Sequence, residues 1–242
     1  VKRLLIVLLI ALPLHAAKVE KQTITSRGKT RTYYLFVPDG IDPAKPVPLI
    51  VTLHGSGRNG ASLVDKWKGL AQKEKIILAG PDSTNSQQWG SPEDGPLLLH
   101  DLVEMLKTKY AIDGRRVYLF GHSAGAVFGL EMGLIESEYF AAVAVHAGAM
   151  PADSYNVIGF ATRNIPFAII CGSRDPYFPI EYVRATRDEL KKRGFIVELT
   201  EVPNHTHDYY STADATNKVA WEFLRKYTLP EDAKFTEYAN MK

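Results

Sequence analysis

Hydrophobic positions along this chain follow two alternating rhythms. Short runs dense in β-branched and aromatic residues recur between longer stretches whose apolar residues return every three or four positions. The first pattern fits strands buried on both faces, the second amphipathic helices. It predicts strands at Thr32–Val37 and Pro48–Leu53, a helix over Ser62–Lys73, a strand at Ile76–Ala79, a helix over Pro96–Tyr110 and a strand at Val117–Phe120. There follow a helix from Ala124 to about Leu134, strands at Ala141–His146 and Phe167–Cys171, a helix over Ile180–Arg193, a strand at Phe195–Val202 and a helix over Ala213–Tyr227. Strands alternating with helices belong to an α/β fold, a mostly parallel central sheet with helices on both faces. The first two strands are joined by P-D-G-I-D-P-A-K-P without a helix and are expected to form an antiparallel N-terminal edge.

In open sheets of this kind, binding groups gather beyond the carboxyl ends of the strands. The loops to search are therefore His54–Gly57, Asp82–Gly95, Gly121–Gly125, Gly172–Pro179 and Pro203–Tyr210. G-H-S-A-G at 121–125 lies directly between a predicted strand and a predicted helix. Small residues at Gly121 and Gly125 permit the tight bend of a nucleophile elbow, which lifts the Ser123 hydroxyl clear of the sheet. A serine hydroxyl needs a base to take its proton, and the base needs an acid to hold its tautomer. Asp175, in G-S-R-D-P-Y-F-P, and the histidines of V-P-N-H-T-H-D-Y-Y follow Ser123 in the order serine, acid, histidine. Asp153 and Asp208 are competing acids. His207 is favoured as base because it lies nearer the last helix, with Tyr209 and Tyr210 to exclude water; His205 is the alternative. Residues two apart face the same way only while a loop stays regular.

H-G-S-G at 54–57 follows L-I-V-T-L. Backbone amides in such a loop can meet an oxyanion without reorganising. The Ser56 and Ala124 amides are the expected pair, with Gly57 as the alternative to Ser56. His54 reads as a loop brace. His122 and Trp89 are candidate substrate contacts, with a packed or orienting role open for the first and a loop-anchoring role open for the second.

Composition narrows the picture. The chain has 242 residues, 45% hydrophobic and 23% charged, enough for one sizeable core, placed at 18–242. A net charge of +2 with both signs interspersed leaves no basic patch for nucleic acid. Residues 1–17 read as a signal peptide: two cations, an apolar run from Leu4 to Leu14, then small residues, too short for a permanent anchor. A secreted or periplasmic protein with no stable membrane insertion after cleavage is expected, and Val1 fits an alternative bacterial start codon. The single Cys171 cannot form an internal disulfide and reads as a small buried hydrophobe. H-T-H lacks further ligands for a metal, so neither metal nor organic cofactor is expected. Composition leaves the oligomeric state open.

Y-A-I-D-G-R-R-V-Y-L-F-G-H-S-A-G-A, L-H-G-S-G-R-N-G, G-S-R-D-P-Y-F-P and N-H-T-H-D-Y-Y before A-W-E-F-L together resemble the polyhydroxybutyrate depolymerase and feruloyl esterase-like branch of the α/β-hydrolases, over about Tyr33 to Tyr227. The resemblance implies a triad of Ser123, Asp175 and a histidine of the N-H-T-H loop, an oxyanion hole at H-G-S-G, and cofactor-free hydrolysis of small or oligomeric esters. Ala126 departs from the glycine usual after the elbow. The lack of disulfides and of a substrate-binding module weighs against polymer hydrolysis. A prolyl-oligopeptidase-type peptidase and a non-catalytic binding protein of the same fold are the alternatives.

Overall fold

The computed structural model describes residues 17–233. The strands are β1 (Val19–Ser26), β2 (Lys29–Phe36), β3 (Val47–Leu53), β4 (Ile77–Pro81), β5 (Ile112–His122), β6 (Ala142–His146), β7 (Phe167–Gly172) and β8 (Val197–Val202). The helices are α1 (Ala61–Glu74), α2 (Pro96–Lys109), α3 (Ala124–Ile135), α4 (Ile180–Lys192) and α5 (Ala213–Leu224), and a 3-10 helix spans Ala152–Phe160. The strands form one sheet in the order β1-β2-β4-β3-β5-β6-β7-β8.

Strand periodicity builds two cores. On β5, Val117 and Leu119 face one side and Tyr118 and Phe120 the other, and β3 divides Leu49, Val51 and Leu53 from Ile50 in the same way. Helices α2, α3 and α4 cover the first face, while α1 and α5 cover the second with Trp67 edge-on to Phe120 and Trp221 edge-on to Tyr118. Burial on both faces is why β3, β6 and β7 read as continuous apolar runs instead of alternating ones.

The N-terminal edge is antiparallel, but its membership differs from the expectation. β2 pairs antiparallel with β1 and β4, whereas β3 pairs parallel with β4 and β5 in the middle of the sheet. The chain skips the place that β4 later fills, so the second predicted strand is central and not part of the edge. β1 escapes the sequence reading because only Ser26 of its eight residues is buried. Its signal is the two-residue turn Arg27-Gly28, whose φ values of 49° and 75° give the twist a hairpin needs.

Glu136, at the end of α3, is 3% exposed, and its Oε1 has no hydrogen-bond partner among the described residues. Burial raises its pKa from 4.5 to about 7. The folded state therefore holds the proton more tightly than the unfolded chain, so the stability linked to this group is complete below pH 4.5 and is lost as pH rises to about 7. Glu136→Gln is expected to stabilise the protein at pH 8 by about 3 kcal/mol and to lose that advantage near pH 5. Thermal unfolding at the two pH values tests this; an equal effect at both would disprove it.

Candidate active site

Ser123 occupies a strained corner, with φ 57° and ψ −120°, between β5 and α3. The flanking glycines are sterically required. A Cβ on Gly121 would lie 2.1 Å from the Gly125 carbonyl oxygen, and one on Gly125 would lie 2.0 Å from that of Leu53. Backbone contact on both sides holds the elbow, and the Ser123 N–H donates to the His146 carbonyl at 3.1 Å. α3 begins at Ala124, so the positive end of its dipole lies at the serine, and the Ala126 and Val127 amides donate to the Ser123 carbonyl.

The loops after β7 and β8 bring two further residues to this corner. His207 Nε2 lies 2.8 Å from Ser123 Oγ, and His207 Nδ1 lies 2.8 Å from Asp175 Oδ2. The Asp175 side chain is fully buried, and its Oδ1 accepts the Tyr177 and Phe178 N–H groups at 2.9 and 3.0 Å. This turn aims the carboxylate at His207 without using the oxygen that meets the imidazole. Phe178 stacks on the His207 ring and Tyr177 meets it edge-on, so these two residues, with His122, hem in the imidazole. Tyr209 and Tyr210 pack against His122, and Tyr210 also lines the cleft.

His205 does not reach the serine. Its carbonyl accepts the Arg174 N–H at 2.9 Å and seats against Gly172, while its ring packs on His146. Asp208 caps the Tyr210 and Ser211 amides, away from His207 Nδ1, and Asp153 lies in the 3-10 helix. Cys171 is buried beside Asp175, and its thiol is pushed up to about 12 by burial and then by that carboxylate.

Gly55 brings H-G-S-G against the elbow: a Cβ there would touch His122 and the Ser123 Cβ at 3.2 Å. The Gly57 N–H donates to the Ser86 carbonyl at 2.8 Å. Among the described residues, the amides of Ser56 and Ala124 have no acceptor. His54 is a brace: Nε2 accepts the Ser83 N–H at 3.1 Å, leaving the proton on Nδ1, which donates to the Gly55 carbonyl at 2.9 Å. Burial lowers its pKa, in keeping with a neutral ring.

Trp89 belongs to the same brace. Its indole N–H donates to the His54 carbonyl at 2.8 Å, and its ring stacks on Phe128 and tilts against His54. With its ring engaged on these neighbours it anchors the 82–95 loop, the second of the two roles left open for it, and it is absent from the cleft lining. His122 does line the cleft; its Nδ1 is 3.1 Å from Nδ1 of the fully buried His146. Burial, reinforced by neighbouring imidazoles, brings His122 to about 4 and His146 to about 3. Both stay neutral at neutral pH, so neither opposes a positive charge on His207.

The cleft holds about 430 Å³. Besides the expected residues, Arg58, Pro176, Tyr177, Thr206 and Tyr210 line it. The sequence reading assigned none of these a substrate contact, although each lies within three residues of a motif it used. Arg58 is held over the Tyr210 ring at 4.7 Å from its centroid. Among the described residues no group of three His, Cys, Asp or Glu side chains could hold a metal ion, and no helix is long and apolar enough to cross a membrane. The leader expectation covers residues 1–17, of which 1–16 lie outside those described.

Feruloyl esterase C of Emericella nidulans is 26% identical over 160 residues, covering 62% of this chain and 57% of that protein. A poly(3-hydroxybutyrate) depolymerase of Ralstonia pickettii is 27% identical over 190 residues, covering 64% of this chain and 38% of that protein. The chain thus spans about half the length, or less, of these curated relatives. The solved structure of a ferulic acid esterase from Anaeromyces mucronatus with ferulic acid superposes with a TM-score of 0.69 at 19% identity, over 89% of this chain and 92% of that one, and shares the fold. A family model described as phospholipase/carboxylesterase matches residues 82–224, more than half of the sequence and including the elbow and both loops that meet it. With this match joined to the eight-stranded sheet, the chain belongs to the phospholipase/carboxylesterase family of esterase-type α/β-hydrolases.

Proposed function

We propose that this protein is a serine carboxylesterase that works through an acyl-enzyme. The observation that carries this reading is the continuous hydrogen-bonded path from Asp175 through His207 to Ser123, with 2.8 Å at each step. Ser123 Oγ attacks the ester carbonyl as His207 Nε2 takes its proton, and Asp175 holds the imidazole tautomer and stabilises the imidazolium. The carbonyl oxygen becomes an oxyanion facing the Ser56 and Ala124 amides, a donor of this kind contributing about 3 kcal/mol. His207 then gives its proton to the departing alcohol, and water, activated by the same imidazole, releases the acid.

The named relatives include feruloyl esterases and poly(3-hydroxyalkanoate) depolymerases, which supports carboxylic esters of feruloyl or hydroxyalkanoate type as substrates. Action outside the cytoplasm, as a secreted or periplasmic enzyme, completes the proposal. A fluorophosphonate probe is expected to label Ser123 and block hydrolysis of short-chain esters. Absence of both labelling and turnover would refute the esterase reading, and turnover of peptide anilides with esters untouched would replace it with a peptidase.

A further inference from the structure

Tyr177 is a wall between two cavities. On one side lies the Ser123 cleft, with the charged side chains of Arg58 and Asp208 in its lining. On the other is a chamber of about 350 Å³ lined by Tyr177 together with Met150, Pro151, Tyr155, Phe178, Tyr182 and Ala185 among others, with no charged side chain in its lining. That volume falls in the lower part of the ~300–1,000 Å³ range of small-molecule pockets. We propose that this chamber receives the alcohol part of the ester and takes an aromatic or other flat apolar group. The inference rests on the esterase reading above.

Position is the first ground. As the acyl–oxygen bond breaks, the electron pair stays with the alcohol oxygen, His207 Nε2 supplies its proton, and the acyl group remains on Ser123. The alcohol must therefore lie against His207 at that moment. Phe178, which stacks on His207, and Tyr177, which meets it edge-on, are also walls of the chamber. A group extending past His207 thus meets these rings first and the chamber behind them.

The second ground is the lining. Tyr177 is 73% and Tyr182 65% exposed, an unusual placement for two large rings lining one chamber, and such rings offer flat apolar faces to a ligand. The floor is fixed independently of any ligand. Met150 is buried, and its N–H donates to Thr186 Oγ1 at 2.9 Å, tying the segment after β6 to α4. A chamber bordered by a buried hydrogen bond that ties two elements together is preformed, which lowers the cost of filling it.

Ala185→Trp, on the exposed face of α4, fills the chamber without touching the cleft. Butyrate esters of ethanol and of 2-naphthalenemethanol are compared in the unmodified and substituted chains. Taking the ratio for each ester separately removes intrinsic reactivity. The expected result is a loss of about tenfold or more in kcat/KM for the naphthylmethyl ester, with the ethyl ester unchanged within about twofold. Equal losses for both, or a loss that follows acyl size in a series of ethyl esters, would overturn the assignment.

Binding provides a readout that needs no turnover. 2-Naphthalenemethanol, followed by its own fluorescence, is expected to bind the unmodified chain and Ser123→Ala alike and to bind Ala185→Trp at least about tenfold more weakly. Equal binding to all three proteins refutes the chamber as its site. If no ester is hydrolysed but this binding difference holds, the esterase reading fails while the pocket stands.

Discussion

Replacing His207 by alanine is expected to lower kcat by about 10⁴- to 10⁶-fold, the range seen when the base of such a triad is removed. His205→Ala, in the same loop, is expected to change kcat by less than about tenfold. The contrast follows from where each ring points. His207 spans the gap between Asp175 and Ser123 with 2.8 Å contacts on both sides. Among the described residues the ring of His205 packs on His146 and approaches Thr212 Oγ1 at 3.4 Å, and what ties this residue to the fold is its carbonyl, which alanine keeps. Steady-state kinetics on the two variants, with matching circular dichroism spectra, decide the matter. A large loss in His205→Ala and a small one in His207→Ala would reverse the assignment of the base.

The second large effect is on stability. Asp94 is 2% exposed, and its Oδ1 accepts Arg31 Nη2 at 2.6 Å and both the N–H and the hydroxyl of Thr84 at 2.8 Å, while Oδ2 accepts the Gly90 N–H at 3.0 Å. Asp94→Leu leaves a buried guanidinium without its counter-charge, and removal of one partner of such a pair costs about 3–5 kcal/mol. For a chain of this size that corresponds to a fall in Tm of roughly 10 °C. The damage should extend to the active site, because the 82–95 loop that Asp94 organises carries Ser86, Ser83 and Trp89, which hold the H-G-S-G loop. A reduced kcat below the unfolding temperature is therefore expected alongside the lower Tm. Arg31→Met combined with Asp94→Leu should be less destabilised than the sum of the single changes, since no charge is then stranded. Strict additivity would show that the pair is not coupled.

Ser123 and Asp175 were legible because their requirements are local. The corner at Ser123 needs small residues at Gly121 and Gly125 against neighbouring backbone, and Asp175 sits in a turn after a strand whose following amides, those of Tyr177 and Phe178, steady its carboxylate. Strand and helix periods likewise announced an α/β sheet, since β3 and β5 must divide their side chains between two cores. The polar alternation of β1 was too weak to stand out, and the central position of β3 depends on a strand that comes later in the chain.

The amino-acid sequence by itself thus determined the fold class, the tight corner at Ser123 and the order Ser123, Asp175, His207, because each is set by residues close together along the chain or by their order in it. Tertiary structure alone decided which of His205 and His207 faces the serine, through the docking of the His205 carbonyl on the loop after β7. It also decided that Gly57 is taken by Ser86 and that Trp89 is held by Phe128 and His54. Those outcomes turn on hydrogen bonds and ring contacts between segments tens of residues apart, whose geometry exists only once the sheet has brought them together.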